Sequence, residues 1–150
     1  MKVLFDTSVL VAAHVPSHAE YSSARLWLER AKQGAFEFVV AAHTLMETYA
    51  VLTRLPLKPR IMPATAFQFL ETNVLTTARV VALTAEDYRD LLTSLASTGT
   101  GGGVVYDSLL VKAAELAQVD VLLTFNLKHL QRLWPAHAEK INAPNLLTPP

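Results

Sequence analysis

Four oxygen-bearing side chains from separate parts of the chain could meet at one place. Asp6 directly follows the apolar run KVLF, and Asn126 follows VDVLLTF, with Thr124 two residues earlier. Glu47 falls in the early turns of the helix after a second apolar run, and Asp107 follows a glycine-rich stretch. In a parallel α/β sheet, ligands bind where the carboxyl ends of the strands converge. Clustered carboxylates repel, so such a site calls for a hard divalent cation such as Mg²⁺ or Mn²⁺.

Each of these residues also has a purely structural interpretation. Asp6 could cap the helix that follows it, and Asp107 could favour the dipole of its helix from the first turn. Glu47 could belong to a charged helix face, and Asn126 is an ordinary cap or turn residue. For Asp6 or Asp107 alone the structural interpretation is favoured, and only their joint placement favours a functional site.

Short apolar runs alternate with amphipathic stretches and predict the elements that would position this site. The runs KVLF, FEFVV, RVVAL and VDVLLTF are typical of strands buried on both faces. Helical periodicity lies between them, with stops at Pro16, Gly34 and Pro56. After the break TGTGGG we expect a helix from about Asp107 to Ala117, and the tail NAPNLLTPP is a candidate edge strand. This order predicts a three-layer α/β/α sandwich with a mostly parallel sheet.

Three helix starts carry their own signals. Thr7 or Ser8 is suited to cap the first helix. Pro63 stands at an expected first helical position. Thr84 and Asp87 have capping-box-like spacing at the start of TAEDYRDLLTSLAS.

Composition limits the class of protein. The 150 residues are the size of one domain, 51% are hydrophobic and only 17% are charged, so some apolar surface is expected to meet a partner. Thirteen basic and thirteen acidic residues exclude bulk basicity and restrict any nucleic-acid contact to a local patch. The absence of cysteine excludes disulfides and thiolate metal sites. No apolar run is long enough to span a membrane, and Asp6 interrupts the run that could form a signal peptide, so we expect a cytoplasmic protein.

Four sequence stretches resemble the PIN domains, and specifically the VapC-like toxins of prokaryotic toxin-antitoxin pairs. They are VLFDTSVLVAA, HTLMETYAVLTRLP, TGGGVVYDSLLVKAAELAQVDVLLTFN and LKHLQRL. The Asp-Thr-Ser opening, the Tyr-Asp helix start and the later Thr-x-Asn occur in the family's order. The resemblance covers essentially the whole chain and implies a single PIN domain over residues 1–150.

The resemblance implies an Mg²⁺-dependent endoribonuclease, with Mn²⁺ as a substitute ion. It implies that Asp6 and Asp107 bind the metal directly, that Glu47 acts at or just outside its ligand shell, and that Asn126 completes the catalytic site. Many relatives carry aspartate at the position of Asn126, and the neutral amide disfavours a second tightly held ion. Hydroxyl residues that orient acids or water in the family correspond to Thr7, Ser8 and Thr124, which are as easily caps or strand ends.

The resemblance also implies partners. The substrate would be RNA, with a transfer RNA or a ribosomal RNA loop as the expected target, and the protein partners would be a small antitoxin and a second copy in a homodimer. Two basic groups flank the acids and could hold the RNA backbone, although each is also consistent with solvated surface charge: Arg54, Lys58, Arg60, Lys128 and Arg132. We interpret four histidines as cap or surface residues, although one of them, His43, shares a helix face with Glu47 and could approach the site: His14, His18, His43 and His129.

Two other functions compete with the nuclease. A phosphatase with a strand-end aspartate nucleophile would carry the pattern D-x-D, but Ser8 stands two residues after Asp6. A catalytically weakened PIN-like module that binds RNA or a protein is favoured by Asn126 and opposed by the three remaining acids. Loss of metal-dependent cleavage in Asp6→Asn would separate this module from the enzyme.

Overall fold

The computed structural model describes residues 1–150 and has a five-stranded sheet in which every neighbouring pair is parallel. The strand order is β3-β2-β1-β4-β5. The strands are β1 (Lys2–Phe5), β2 (Glu37–Ala41), β3 (Arg79–Val81), β4 (Val121–Leu123) and β5 (Ile141–Asn142). The chain leaves β1 towards β2 on one side and later returns to pair β4 on the other. The ends of β1 and β4 therefore form the switch point of the sheet, where ligands of such folds bind.

Seven α-helices connect and flank the strands. They are α1 (Thr7–His14), α2 (Tyr21–Lys32), α3 (Ala42–Arg54), α4 (Pro63–Leu70), α5 (Ala85–Thr98), α6 (Val104–Ala117) and α7 (Leu127–Leu133). A π-helical turn (Glu71–Leu75) follows α4, and a 3-10 segment (Pro135–Lys140) precedes β5. The predicted α/β sandwich with a parallel sheet is confirmed. None of the helices has the length and hydropathy needed to cross a membrane.

The alternation of side chains along β1 divides the core into two layers. Val3 and Phe5 are fully buried against residues of α1 and α2, while Leu4 is fully buried among residues of α6 and α7. Successive strand residues point to opposite faces, so an unbroken apolar strand such as β1 requires helices on both sides. This packing fixes the end of β1, and with it the position of Asp6.

Three local predictions need correction. Helix α6 begins at Val104, three residues before Asp107, because the chain turns helical directly after the glycines. The edge strand is Ile141–Asn142, so it includes only the first residue of NAPNLLTPP, and beyond it Trp27 donates a hydrogen bond to the Pro144 carbonyl. Neither Thr7 nor Ser8 caps α1, because Asp6 occupies the N-cap position. The predicted capping box of α5, by contrast, is confirmed.

His14 is buried in a polar network, contrary to its interpretation as a cap or surface residue. Its Nδ1 lies 2.7 Å from the Leu10 carbonyl and its Nε2 lies 3.3 Å from the Asn73 amide nitrogen. The Asn73 amide is oriented by donation to the Phe69 carbonyl and by a hydrogen bond accepted from Lys32. Nδ1 therefore carries the proton and Nε2 accepts. Burial is the main cause that lowers the pKa of His14.

Stability is expected to fall on acidification through this network. In the unfolded chain His14 is protonated below a pH of about 6.5, whereas in the folded chain it stays neutral to a lower pH. Unfolding between these two pKa values therefore takes up a proton. The free energy of unfolding should decrease as the pH falls from 6.5 through the lowered pKa of His14, and level off below it. Urea titrations of wild type and His14→Gln at several pH values test this, since the variant should show a shallower decrease. Identical pH dependence of the two proteins would contradict it.

Two buried hydroxyls on α3 have no hydrogen-bond partner. Thr44 and Thr48 are fully buried and lie one helical turn apart. An unsatisfied buried hydroxyl costs free energy that an isosteric methyl does not. We therefore expect Thr48→Val to raise the free energy of unfolding by about 1 kcal/mol. Chemical denaturation measures this, and a destabilised variant would indicate a bonded hydroxyl.

Candidate active site

Asp6 is held by two hydroxyls at the end of β1. Ser8 Oγ and Thr124 Oγ1 each donate to Asp6 Oδ2 at 2.7 Å. Ser8 Oγ accepts from the Phe125 N–H, and Thr124 Oγ1 accepts from the Asn126 N–H. The carboxylate makes no capping bond to α1. These contacts join β1 to the end of β4 and leave Asp6 Oδ1 without a protein hydrogen bond.

Glu47 comes from α3 and is fixed by the neighbouring residue of the β1 end. Thr7 Oγ1 donates to Glu47 Oε2 at 2.7 Å, across 40 residues of sequence. Helix α3 starts directly after β2, the strand beside β1, and this short connection brings the helix to the same edge of the sheet. Each of the predicted orienting hydroxyls, Thr7, Ser8 and Thr124, is thus bonded to one of the predicted acids.

Asp107 lies in the first turn of α6 and faces the other two acids. Its Oδ2 is 2.9 Å from His129 Nε2 on α7. Partial burial raises the pKa of the Asp107 carboxyl, and the negative charges of Asp6 and Glu47 act in the same direction, against the opposing effect of His129. The three carboxylates therefore interact electrostatically, although they lie at the start of α1, in α3 and in α6.

These side chains line one open pocket of about 310 Å³, which we call the acidic pocket. It contains all four predicted catalytic residues, and its lining holds no lysine or arginine. The residues are Asp6, Thr7, Ser8, Val11, His18, Glu47, Val51, Asp107, Phe125 and Asn126. A concentration of negative charge without a compensating cation is an arrangement that a divalent ion stabilises.

The donor set of the acidic pocket fits a hard cation with partial protein coordination. Apart from the imidazole of His18 and the amide nitrogen of Asn126, its polar side chains present oxygens, and Asp6 Oδ1 makes no protein hydrogen bond. No three acidic or histidine side chains converge closely enough to enclose an ion by themselves. Mg²⁺ commonly binds through one or two carboxylates and keeps several waters, so it does not need such a cage. The pocket is thus suited to Mg²⁺ or Mn²⁺ and unsuited to a metal that requires a closed set of protein ligands.

The predicted basic residues lie outside the acidic pocket. Arg54 ends α3 and lines a neighbouring pocket that shares Glu47 with the acidic one. Lys58 and Arg60 are exposed in the connection to α4, and Lys128 is exposed on α7. Arg132 lines a separate cavity between α5 and α6. Of the five, Arg54 is therefore placed most directly beside the acids.

Three histidines lie near the site, and only for His43, which shares a helix face with Glu47, does the sequence indicate this. His129 is not the cap or surface residue that the sequence suggests, because its Nε2 contacts Asp107 Oδ2. His18 lines the acidic pocket from the loop after α1, where no periodicity points to it. His43 is half-buried, and burial lowers its pKa while the charges of Glu47 and Asp6 oppose that effect.

Comparison with known proteins assigns this geometry to a family. The family model described as "PIN domain" matches residues 3–133. The chain belongs to the PIN-domain family. Ribonuclease VapC40 of Mycobacterium tuberculosis is 37% identical over 117 residues, which cover 78% of this chain and 81% of that protein. Ribonuclease VapC27 of the same species is 33% identical over 109 residues, covering 73% of this chain and 74% of the relative. The resemblance to VapC-like PIN toxins is thereby confirmed.

Solved structures of low sequence identity share the PIN fold. The M. tuberculosis toxin VapC20, described as cleaving the sarcin-ricin loop, aligns with a TM-score of 0.61 at 17% identity, over 80% of this chain and 86% of that one. FitAB bound to an IR36 DNA fragment aligns with a TM-score of 0.65 at 16% identity, over 97% of both chains. At these identities the likeness shows the arrangement of the PIN sandwich and leaves the chemistry to the residues of the pocket.

Proposed function

We propose that this PIN domain is a toxin endoribonuclease of the VapC type, which hydrolyses RNA phosphodiester bonds with a metal-activated water. The observation that carries the proposal is the meeting of Asp6, Glu47 and Asp107 in one pocket at the switch point of the sheet. The ribonuclease names of its relatives support the same activity. Residues 1–150 act as one domain in this proposal.

In the proposed mechanism Asp6 and Asp107 would hold an Mg²⁺ or Mn²⁺ ion, with Glu47 at or just outside its ligand shell. When bound, the ion supplies a water of lowered pKa and neutralises charge that develops on the phosphate. Ser8 and Thr124 donate hydrogen bonds to Asp6 Oδ2, so Asp6 Oδ1 is left available to bind the ion. His129 contacts Asp107 Oδ2 and likewise leaves Asp107 Oδ1 available to the ion. The protein thus preorganises one oxygen of each aspartate.

The remaining residues move protons and orient the reactants. Glu47 Oε2 is occupied by Thr7, and Oε1 takes the proton of the attacking water. The water oxygen bonds to phosphorus and the bond from phosphorus to the leaving ribose oxygen breaks. That oxygen takes a proton from solvent water, and Glu47 returns its proton to solvent. The Asn126 amide orients the water or the leaving oxygen. No covalent intermediate with the protein is needed, which separates this scheme from a phosphatase with an aspartate nucleophile.

The charge distribution suggests which side chains contact the proposed RNA substrate. RNA must approach a pocket without cations, so Arg54, Lys58, Arg60 and Lys128 hold phosphates around it, and Arg132 contributes at a greater distance. The proposed target is a transfer RNA or a ribosomal RNA loop, the latter supported by the description of VapC20. A small antitoxin and a homodimer complete the proposed assembly.

Removing one of the hydroxyls that hold Asp6 should lower activity without removing the metal ligand. Thr124→Val keeps the shape of a fully buried side chain but leaves Asp6 with one donor and the Asn126 N–H without its acceptor. We expect the cleavage rate to fall by about tenfold, as for other residues that orient metal ligands. Thr93→Val on the exposed face of α5 is the matched control. A Thr124→Val enzyme with the wild-type rate would contradict the orienting role.

The activity is tested with purified protein and total RNA in Mg²⁺ or Mn²⁺, beside an EDTA control. Discrete RNA fragments that appear only with the metal support the proposed enzyme. A second candidate, a PIN-like module that binds without cleaving, is favoured by one observation: Asn126 contributes a neutral amide to the acidic pocket. RNA binding without cleavage by folded, antitoxin-free protein would favour that module, and Asn126→Asp would then be the variant to assay.

A further inference from the structure

A second pocket lies along α3 beside the acidic one. It has a volume of about 270 Å³, and we call it the α3 pocket. It is lined by Glu47, Ala50, Val51, Arg54, Leu55 and Pro56. Ligand pockets for drug-sized molecules run from roughly 300 to 1,000 Å³, so this volume is suited to one ring system and not to a longer segment.

The two pockets adjoin along α3. Glu47 and Val51, one helical turn apart on α3, line both of them. Val51 and Leu55 also pack against the small buried cluster formed by Val11, Val15, Leu52 and Ala66. The floor of the α3 pocket is therefore anchored in the core, and the pocket lies beside the acidic pocket on the same helix.

The Arg54 side chain, which is positively charged, lies at the end of the α3 pocket away from Glu47. Arg54 is exposed and takes part in none of the salt bridges of the protein. It lies seven residues after Glu47, which is roughly 10 Å along the helix axis. The order along this face is thus an acid at the reaction site, an apolar surface and then a positive charge. An RNA strand offers the matching order of a phosphate, an apolar base face and a second phosphate.

We propose that the α3 pocket seats one unpaired nucleobase adjacent to the cleaved bond, and that it selects the base at that position of the RNA. The base lies against Val51 and Leu55 while Arg54 pairs with the next phosphate. Recognition of single-stranded RNA through splayed bases in shallow pockets is physically favoured over readout of paired RNA. This inference rests on the proposed ribonuclease activity and adds to it a specificity site.

The test compares RNAs with and without the base. Cleavage sites are mapped in total RNA, and short oligonucleotides of one site are made with an abasic residue at each position flanking the cut. At one position the wild-type kcat/KM should drop about tenfold on removal of the base, a size consistent with the loss of one base contact. Ala50→Trp fills the pocket from an exposed helix position. In this variant the ratio of kcat/KM for the intact RNA to kcat/KM for the abasic RNA should be close to one.

Two further variants separate the base contact from the phosphate contact and from the general effect of an added tryptophan. Ala96→Trp makes the same change at an exposed position of α5, outside both pockets, and should keep the wild-type ratio. Arg54→Gln should lower kcat/KM for the intact and the abasic RNA by the same factor, because a phosphate contact does not depend on the base. Thermal unfolding of each variant checks that the fold is retained.

The outcomes distinguish this inference from the proposed function. Cleavage by Ala50→Trp with an unchanged ratio would overturn the nucleobase site alone. If that unchanged ratio came with loss of inhibition by an antitoxin, the pocket would belong to a protein partner, and the inference would again be wrong. Absence of metal-dependent cleavage by wild type on any RNA would overturn the proposed function and this inference together.

Discussion

Asp6→Asn is expected to reduce RNA cleavage on the order of a thousandfold or more while the protein stays folded. The asparagine side chain has the size of aspartate, and its oxygen can still accept from Ser8 and Thr124. What it loses is the negative charge that binds the ion. Because one member of a repelling acid cluster contributes little to folding, the free energy of unfolding should change by less than about 1 kcal/mol.

Single-turnover cleavage of a mapped RNA oligonucleotide, together with chemical denaturation, measures both effects of Asp6→Asn. Asp90→Asn on the exposed part of α5 is the matched control and should retain the activity of wild type. An Asp6→Asn protein that is unfolded would make the carboxylate structural. A folded variant that cleaves at the wild-type rate would remove Asp6 from the mechanism.

Asp107→Asn is expected to abolish stabilisation of the protein by metal. A ligand that binds only the folded state raises the midpoint of thermal unfolding with its concentration. Wild type should therefore melt at a higher temperature in millimolar Mn²⁺ than in EDTA, whereas the variant should melt at the same temperature in both. In EDTA the variant should be at least as stable as wild type near pH 7, because burial and the neighbouring acids disfavour the ionised Asp107 carboxyl, as its raised pKa indicates.

Differential scanning calorimetry with and without Mn²⁺ tests this second prediction, again with Asp90→Asn as the control. A metal-dependent shift of the same size in wild type and Asp107→Asn would mean that the ion binds elsewhere. A variant that is strongly destabilised in EDTA would mean that the contact between Asp107 and His129 supports the fold more than the repulsion opposes it.

Much of the fold was predictable because its signals are local. The apolar run KVLF requires cover on both faces, and it became the central strand β1. Thr84 and Asp87 form their capping box within four residues, without help from the rest of the protein. The start of α6 at Val104 was missed because glycines permit several conformations, and the contacts of the helix decide among them.

The candidate site was predictable from topology more than from any single residue. Parallel strands bring their carboxyl ends together, so residues that follow β1 and β4 had to be neighbours. The hydrogen-bond partner of each hydroxyl was harder to predict from the sequence. Thr7 bonds to Glu47, while Ser8, the next residue, bonds to Asp6. His129 was missed because its contact with Asp107 depends on how α6 and α7 pack, which sequence periodicity does not encode.

The position of a bound ion in a crystal would show whether Asp6 and Asp107 form the metal site. Crystals of the protein soaked in Mn²⁺ would be measured at a wavelength where manganese scatters anomalously. We expect one strong peak in the acidic pocket, with Asp6 Oδ1 and a carboxylate oxygen of Asp107 at about 2 Å. A peak elsewhere, or an acidic pocket without a peak at saturating Mn²⁺, would contradict the assignment of these acids as the metal site of the enzyme.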